Sequence, residues 1–72
     1  MVTFGERLKL LRKNKNLTQR RIAEVLNSTE KCYQNYESNR STPNFKVLIF
    51  IADYYDVSLD YLVGRSDIKE RR

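Results

Sequence analysis

Glu30, Lys31, Gln34 and Asn35 lie in the stretch TEKCYQNYE. On a helix, positions i, i+1, i+4 and i+5 share one edge, so these four side chains project together. They offer an ammonium donor, a carboxylate acceptor and two amides that do both. Such a set can match base edges: Lys31 with guanine O6 and N7, Gln34 or Asn35 with adenine in two places, Glu30 with the cytosine amine. The same four residues could instead be the solvated face of a surface helix. A second group, Gln19, Arg20 and Arg21, opens the preceding segment. Arginines at a helix start oppose the helix dipole by about 0.3–1 kcal/mol each when exposed. A phosphate bound there would reverse that sign, or the long side chains could simply swing away.

Both groups need rigid supports, and the stretch Leu17 to Glu37 supplies them. Ile22, Ala23 and Leu26 form one short apolar run, and Tyr33 and Tyr36 form another that turns inward. Asn27-Ser28-Thr29 between them is short enough only for a tight turn. Thr18 and Thr29 suit N-caps, and Asn27 enters the left-handed region cheaply. Two helices joined in this way make a helix-turn-helix.

The remaining elements follow from the same cues. Phe4, Leu8 and Leu11 mark an amphipathic first helix, with Arg7, Lys9, Arg12 and Lys13 on its other faces. Asn16 and Asn39 suit left-handed helix ends. Thr42-Pro43 is the expected opening of a fourth helix, a cap followed by proline. That helix, Phe45 to Tyr55, carries Leu48, Ile51, Ala52 and Tyr55 toward the core. Its second stripe, Val47, Phe50 and Tyr54, is either covered by neighbouring helices or left for a second subunit. Ser58 caps a last helix through Leu59, Leu62 and Val63, and Gly64 ends it. The expected fold is all-α, a compact five-helix bundle over residues 1–65, with a loose, charged tail over 66–72.

Composition narrows the function. A chain of 72 residues has room for one domain. It has no histidine and one cysteine, so neither an internal disulfide nor a zinc set is available, and packing alone must hold the fold. That suits a reducing, cytoplasmic setting. The N-terminus is too charged for a signal peptide, and no apolar run could span a bilayer. Without a phosphate loop, metal set or nucleophile with its base, no enzyme, cofactor or small-molecule site is expected. A net charge of +5 and a pI near 9.6 favour a polyanionic partner.

The pieces RLKLLRKNKNLTQRRIAEVL, YESNRSTP and LIFIADYYDVSLDYLVG, in that order and spacing, resemble the phage-repressor-like (Cro/XRE) helix-turn-helix family from about Phe4 to Gly64. The chain departs from that pattern at Asn27 and Asn39, where the family usually has glycine. It also departs at Ser28, usually aliphatic, and at Arg20 and Arg21, usually acids. The resemblance implies a lambda-repressor-like DNA-binding domain with Thr29 to Tyr36 as recognition helix in the major groove. Glu30, Lys31, Gln34 and Asn35 would then read bases. Gln19, Arg20, Thr29, Asn39, Arg40 and Ser41 would contact the DNA backbone. Arg12 and Glu37 match a structural ion pair between helices one and three. The implied partner is double-stranded DNA, a palindromic operator bound by a homodimer, with repression the expected outcome. From another class, the chain could be a protein-interaction module, an antitoxin or assembly factor using Val47, Phe50 and Tyr54. Cys32 reads as a small packing residue, with a redox role the alternative, since no neighbour in sequence is expected to lower its pKa.

Overall fold

A computed structural model describes residues 2–70, and these form five α-helices with no strand among them. They are α1 (Phe4–Asn14), α2 (Gln19–Val25), α3 (Glu30–Glu37), α4 (Phe45–Tyr55) and α5 (Leu59–Leu62). Met1 at the head of the expected domain, and Arg71 and Arg72 at the end of the expected tail, lie outside the described residues.

Each helix opens on a side-chain cap. Thr18, Thr29 and Ser58 accept the backbone N–H of Arg21, Cys32 and Tyr61, as their sequence positions lead one to expect. α1 begins with a reciprocal capping box: the Thr3 hydroxyl takes the Glu6 N–H, and the Glu6 carboxylate takes the Thr3 N–H. The opening of α4 differs from expectation. Asn44, not Thr42, is the cap, and its Oδ1 accepts the Val47 N–H at 2.9 Å. Pro43 is buried just ahead of the helix rather than inside its first turn. Asparagine is the better cap, so the cap falls two residues later than expected.

The inter-helix turns use left-handed residues. Asn16, Asn27 and Asn39 have φ of 57°, 55° and 63°, and Asp56, read from sequence only as a break, joins them at 55°. Short polar side chains tolerate this region through local hydrogen bonds. Gly64 takes φ 84° after α5.

The core forms where the five helices converge. Leu8, Tyr33, Ile51 and Leu62 are fully buried, with Phe4, Leu11, Ile22, Ala23, Ala52, Tyr55, Val57 and Tyr61 around them. Arg7 departs from its expected place on a solvent face and is buried as well. It lies on the same side of α1 as Phe4 and Leu11, and its guanidinium stacks 3.8 Å from the centre of the Tyr61 ring. Its Nη2 meets Asp67 at 3.2 Å.

That contact and two others anchor the described part of the tail, which the sequence reading left loose. The Ser58 N–H donates to the Lys69 carbonyl at 2.8 Å, and the Ser58 hydroxyl donates to the Ile68 carbonyl at 3.0 Å. On α4, Val47 is partly buried against the core, not on an outer strip. The exposed apolar residues there are Phe45, Ile49, Phe50 and Tyr54, with the Phe50 and Tyr54 rings stacked 6.4 Å apart. Among the described residues no helix is long and apolar enough to cross a membrane.

Candidate nucleic-acid interface

α2 and α3 meet across a turn closed by its own backbone. The Asn27 N–H donates to the Glu24 carbonyl at 3.0 Å and the Ser28 N–H to the Ala23 carbonyl at 2.9 Å. These bonds satisfy the free carbonyls at the end of α2 and aim the chain into the Thr29 cap. The turn therefore fixes where α3 begins.

The far end of α3 is fixed from α1. Gly5 packs against it so closely that a methyl group there would lie 2.4 Å from the Glu37 carbonyl oxygen. Asn39 fastens the same junction: its Oδ1 accepts the Gly5 N–H at 2.9 Å and its Nδ2 donates to the Thr3 hydroxyl at 3.0 Å. Asn39, expected at the DNA backbone, thus also has a structural role through its side chain.

Between these ends, Glu37 gathers the supports. Arg12 donates to it through Nε at 2.6 Å and through Nη2 at 3.3 Å. The Tyr33 hydroxyl donates at 2.5 Å and Gln19 Nε2 at 3.1 Å. Arg12 Nη1 also reaches the Leu17 carbonyl at 2.9 Å, tying in the loop before α2. The ion pair expected from the family resemblance is thus present and largely buried. Burial alone would raise the Glu37 carboxyl, but the bonds from Arg12, Tyr33 and Gln19 outweigh it and hold it below its ordinary value. Burial, and after it the bond to Glu37, pushes the Tyr33 phenol well up. Tyr33 is neutral and donating, Glu37 charged and accepting.

On the outer side of α3, Glu30, Lys31 and Gln34 are exposed and Asn35 is half-buried. The Asn35 carbonyl accepts from Arg40 and Ser41, at 2.9 and 3.3 Å, so the loop after α3 is folded back on the helix. Arg40, Ser41, Thr29 and Arg20 are exposed. Arg21 leans 3.7 Å from Glu24 on the α2 surface, a solvent-screened pair of small worth. Gln19 is half-buried and does not stand alone: its Oε1 accepts from Gln34 Nε2 at 3.3 Å.

Two further features lie outside what the sequence leads one to expect. The Tyr33–Glu37 bond carries a visible signal, a hydroxyl and a carboxylate at i and i+4. Hydrogen bonding with Ser28, and after it with Tyr36, holds the Cys32 thiol below its usual range, contrary to expectation. That thiol lies 3.5 Å from the Tyr36 hydroxyl.

Residues 5–68 match the model of a helix-turn-helix domain family. The chain belongs to that family. Among its helix-turn-helix relatives is the uncharacterized HTH-type transcriptional regulator YqaE of Bacillus subtilis strain 168, 46% identical over 67 residues, 92% of this chain and 58% of that one. The HTH-type transcriptional regulator ImmR of the same organism is 33% identical over 70 residues, covering 97% and 55% of the two chains. The immunity repressor protein of Bacillus phage phi105 is 31% identical over 72 residues, 99% and 50%. A crystal structure of a transcriptional regulator from Listeria innocua superposes with a TM-score of 0.82 at 37% identity, over 86% of this chain and 58% of that one. The helix-turn-helix chain described here thus spans about half the length of the proteins it matches.

Proposed function

We propose that this domain binds double-stranded DNA with α3 in the major groove and regulates transcription there, as a repressor. The observation that carries the reading is the exposed edge of Glu30, Lys31 and Gln34, with Asn35 beside it, on a helix whose other side is locked by Tyr33 and Glu37. Base reading needs donors and acceptors held on a rigid support, and this edge has both. Gln19, Arg20, Thr29, Arg40 and Ser41 border it and serve as positioning contacts to sugar and phosphate. The net charge of +5 favours the encounter. Relatives named as transcriptional regulators and an immunity repressor support the same reading.

The binding unit is residues 1–65 and the operator is palindromic, bound by a homodimer. Half-sites about 34 Å apart, one turn of duplex, follow from two-fold symmetry. A domain measuring 30 × 23 × 21 Å suits one copy per half-site. Fluorescence anisotropy with labelled duplexes over a salt series tests the binding. Affinity falling steeply with salt, together with preference for one sequence over random competitor, supports it.

A second reading, a protein-interaction module such as an antitoxin or assembly factor, draws on the exposed Phe45, Ile49, Phe50 and Tyr54 of α4. Sedimentation separates the two: a chain indifferent to every duplex favours the second.

A further inference from the structure

The side-chain amide of Gln19 can lie only one way round. A carboxylate has no hydrogen to give, so Gln19 must turn its nitrogen to Glu37, which it meets at 3.1 Å. Its oxygen then faces the other way, and accepts from Gln34 Nε2 at 3.3 Å. The carboxylate is itself held from behind, by Arg12 Nε and the Tyr33 hydroxyl on Oε2. Tyr33 is fully buried, so its hydroxyl has no water to turn to. Donation therefore runs inward from Gln34 on the outer edge of α3 through Gln19 to Glu37, where it meets the bond that Tyr33 donates from the core.

We infer that Gln34 is a positioning residue and not a base reader: with Tyr33 anchoring the inner end of the series, it holds the Gln19 amide so that its second N–H is left for a phosphate oxygen. The inference rests on the DNA-binding reading above. It reduces the base-reading set on α3 to Glu30, Lys31 and Asn35. An amide free to rotate would present its oxygen to the phosphate half the time; the series removes that alternative before the duplex arrives. In the free domain the Gln34 bond competes with water, and it strengthens where the duplex excludes water.

The test compares Gln34→Ala, Gln19→Ala and the double variant, using a duplex selected by the wild-type domain and its full set of single base-pair substitutions. Gln34 is exposed, so its truncation leaves the fold intact. The expected result for Gln34→Ala is a loss of about three- to tenfold, equal for every duplex, as for one neutral hydrogen bond. The salt slope stays unchanged because no charge is removed. The double variant binds no more weakly than Gln19→Ala alone, and the Gln19 side-chain amide proton resonances of the free domain move upfield in Gln34→Ala. Tyr33→Phe, which keeps the ring, gives a smaller uniform loss. If Gln34→Ala instead flattens preference at one base pair, or the two single losses multiply, the inference is overturned. A wild-type domain without preference among duplexes overturns the DNA-binding reading along with it.

Discussion

Arg12 Nε and Glu37 Oε2 stand 2.6 Å apart, with both side chains largely buried, and so couple the end of α1 to the end of α3. Such a pair fixes geometry more than it adds net stability, because desolvation offsets the attraction. Removing one partner is another matter, since the other is left charged and unpaired. Arg12→Ala should destabilise the domain by about 3–5 kcal/mol. In a domain of this size each kcal/mol lowers Tm by roughly 4–8 °C. A thermal melt that moves by only a degree or two would show the pair to be unimportant.

The same carboxylate sets an acid limit. Its pKa in the folded chain lies below the 4.5 of an ordinary glutamate. Its contribution is therefore fully present above about pH 5 and lost as pH falls through the folded value. Urea midpoints should be level from pH 7 down to about pH 5 and drop below pH 4.5. Glu37→Gln should start less stable and lose less on acidification; an equally steep acid loss in the variant would assign the effect elsewhere.

Gly5 is there for the space it leaves. With the Glu37 carbonyl 2.4 Å from where a methyl group would sit, Gly5→Ala must push α1 away from the end of α3. The expected cost is about 1–3 kcal/mol, read as a lower urea midpoint with an unchanged slope. A neutral substitution would mean that the junction yields freely.

On the proposed reading, Arg20 serves binding rather than folding. It is exposed at the first turn of α2, and an acid there would suit the helix dipole better. Arg20→Glu should leave Tm equal or slightly raised. It should weaken duplex binding about tenfold or more and flatten the log–log salt slope by about 0.9, one phosphate contact. Tighter binding by the variant would remove Arg20 from the interface.

The elements readable in the chain were those set by neighbours in sequence. Thr18, Thr29 and Ser58 signalled their helices because a cap acts over three residues. Asn16, Asn27 and Asn39 signalled turns because few other residues tolerate a positive φ. The Arg12–Glu37 pair was legible only through resemblance to a family, since 25 positions separate the partners. Arg7 was misread because its burial depends on Tyr61 and Asp67, far along the chain. Asn39 carried two signals, and only the backbone one was visible; its side-chain bonds to Thr3 and Gly5 exist because α1 folds back onto α3. The Gln19–Gln34 link was hidden for the same reason. Val47 belonged to the outer stripe by periodicity, yet partial burial against the core decided its place.

The central claim is that the outer edge of α3 reads base pairs. Selection of bound duplexes from a random pool, run in parallel with the wild-type domain and with Lys31→Ala, tests it most directly. The wild type should enrich one two-fold symmetric sequence, and Lys31→Ala should lose about 1–3 kcal/mol of discrimination at one symmetry-related base pair while keeping the rest. Enrichment of no sequence by the wild type, or identical preferences in the two proteins, would contradict it.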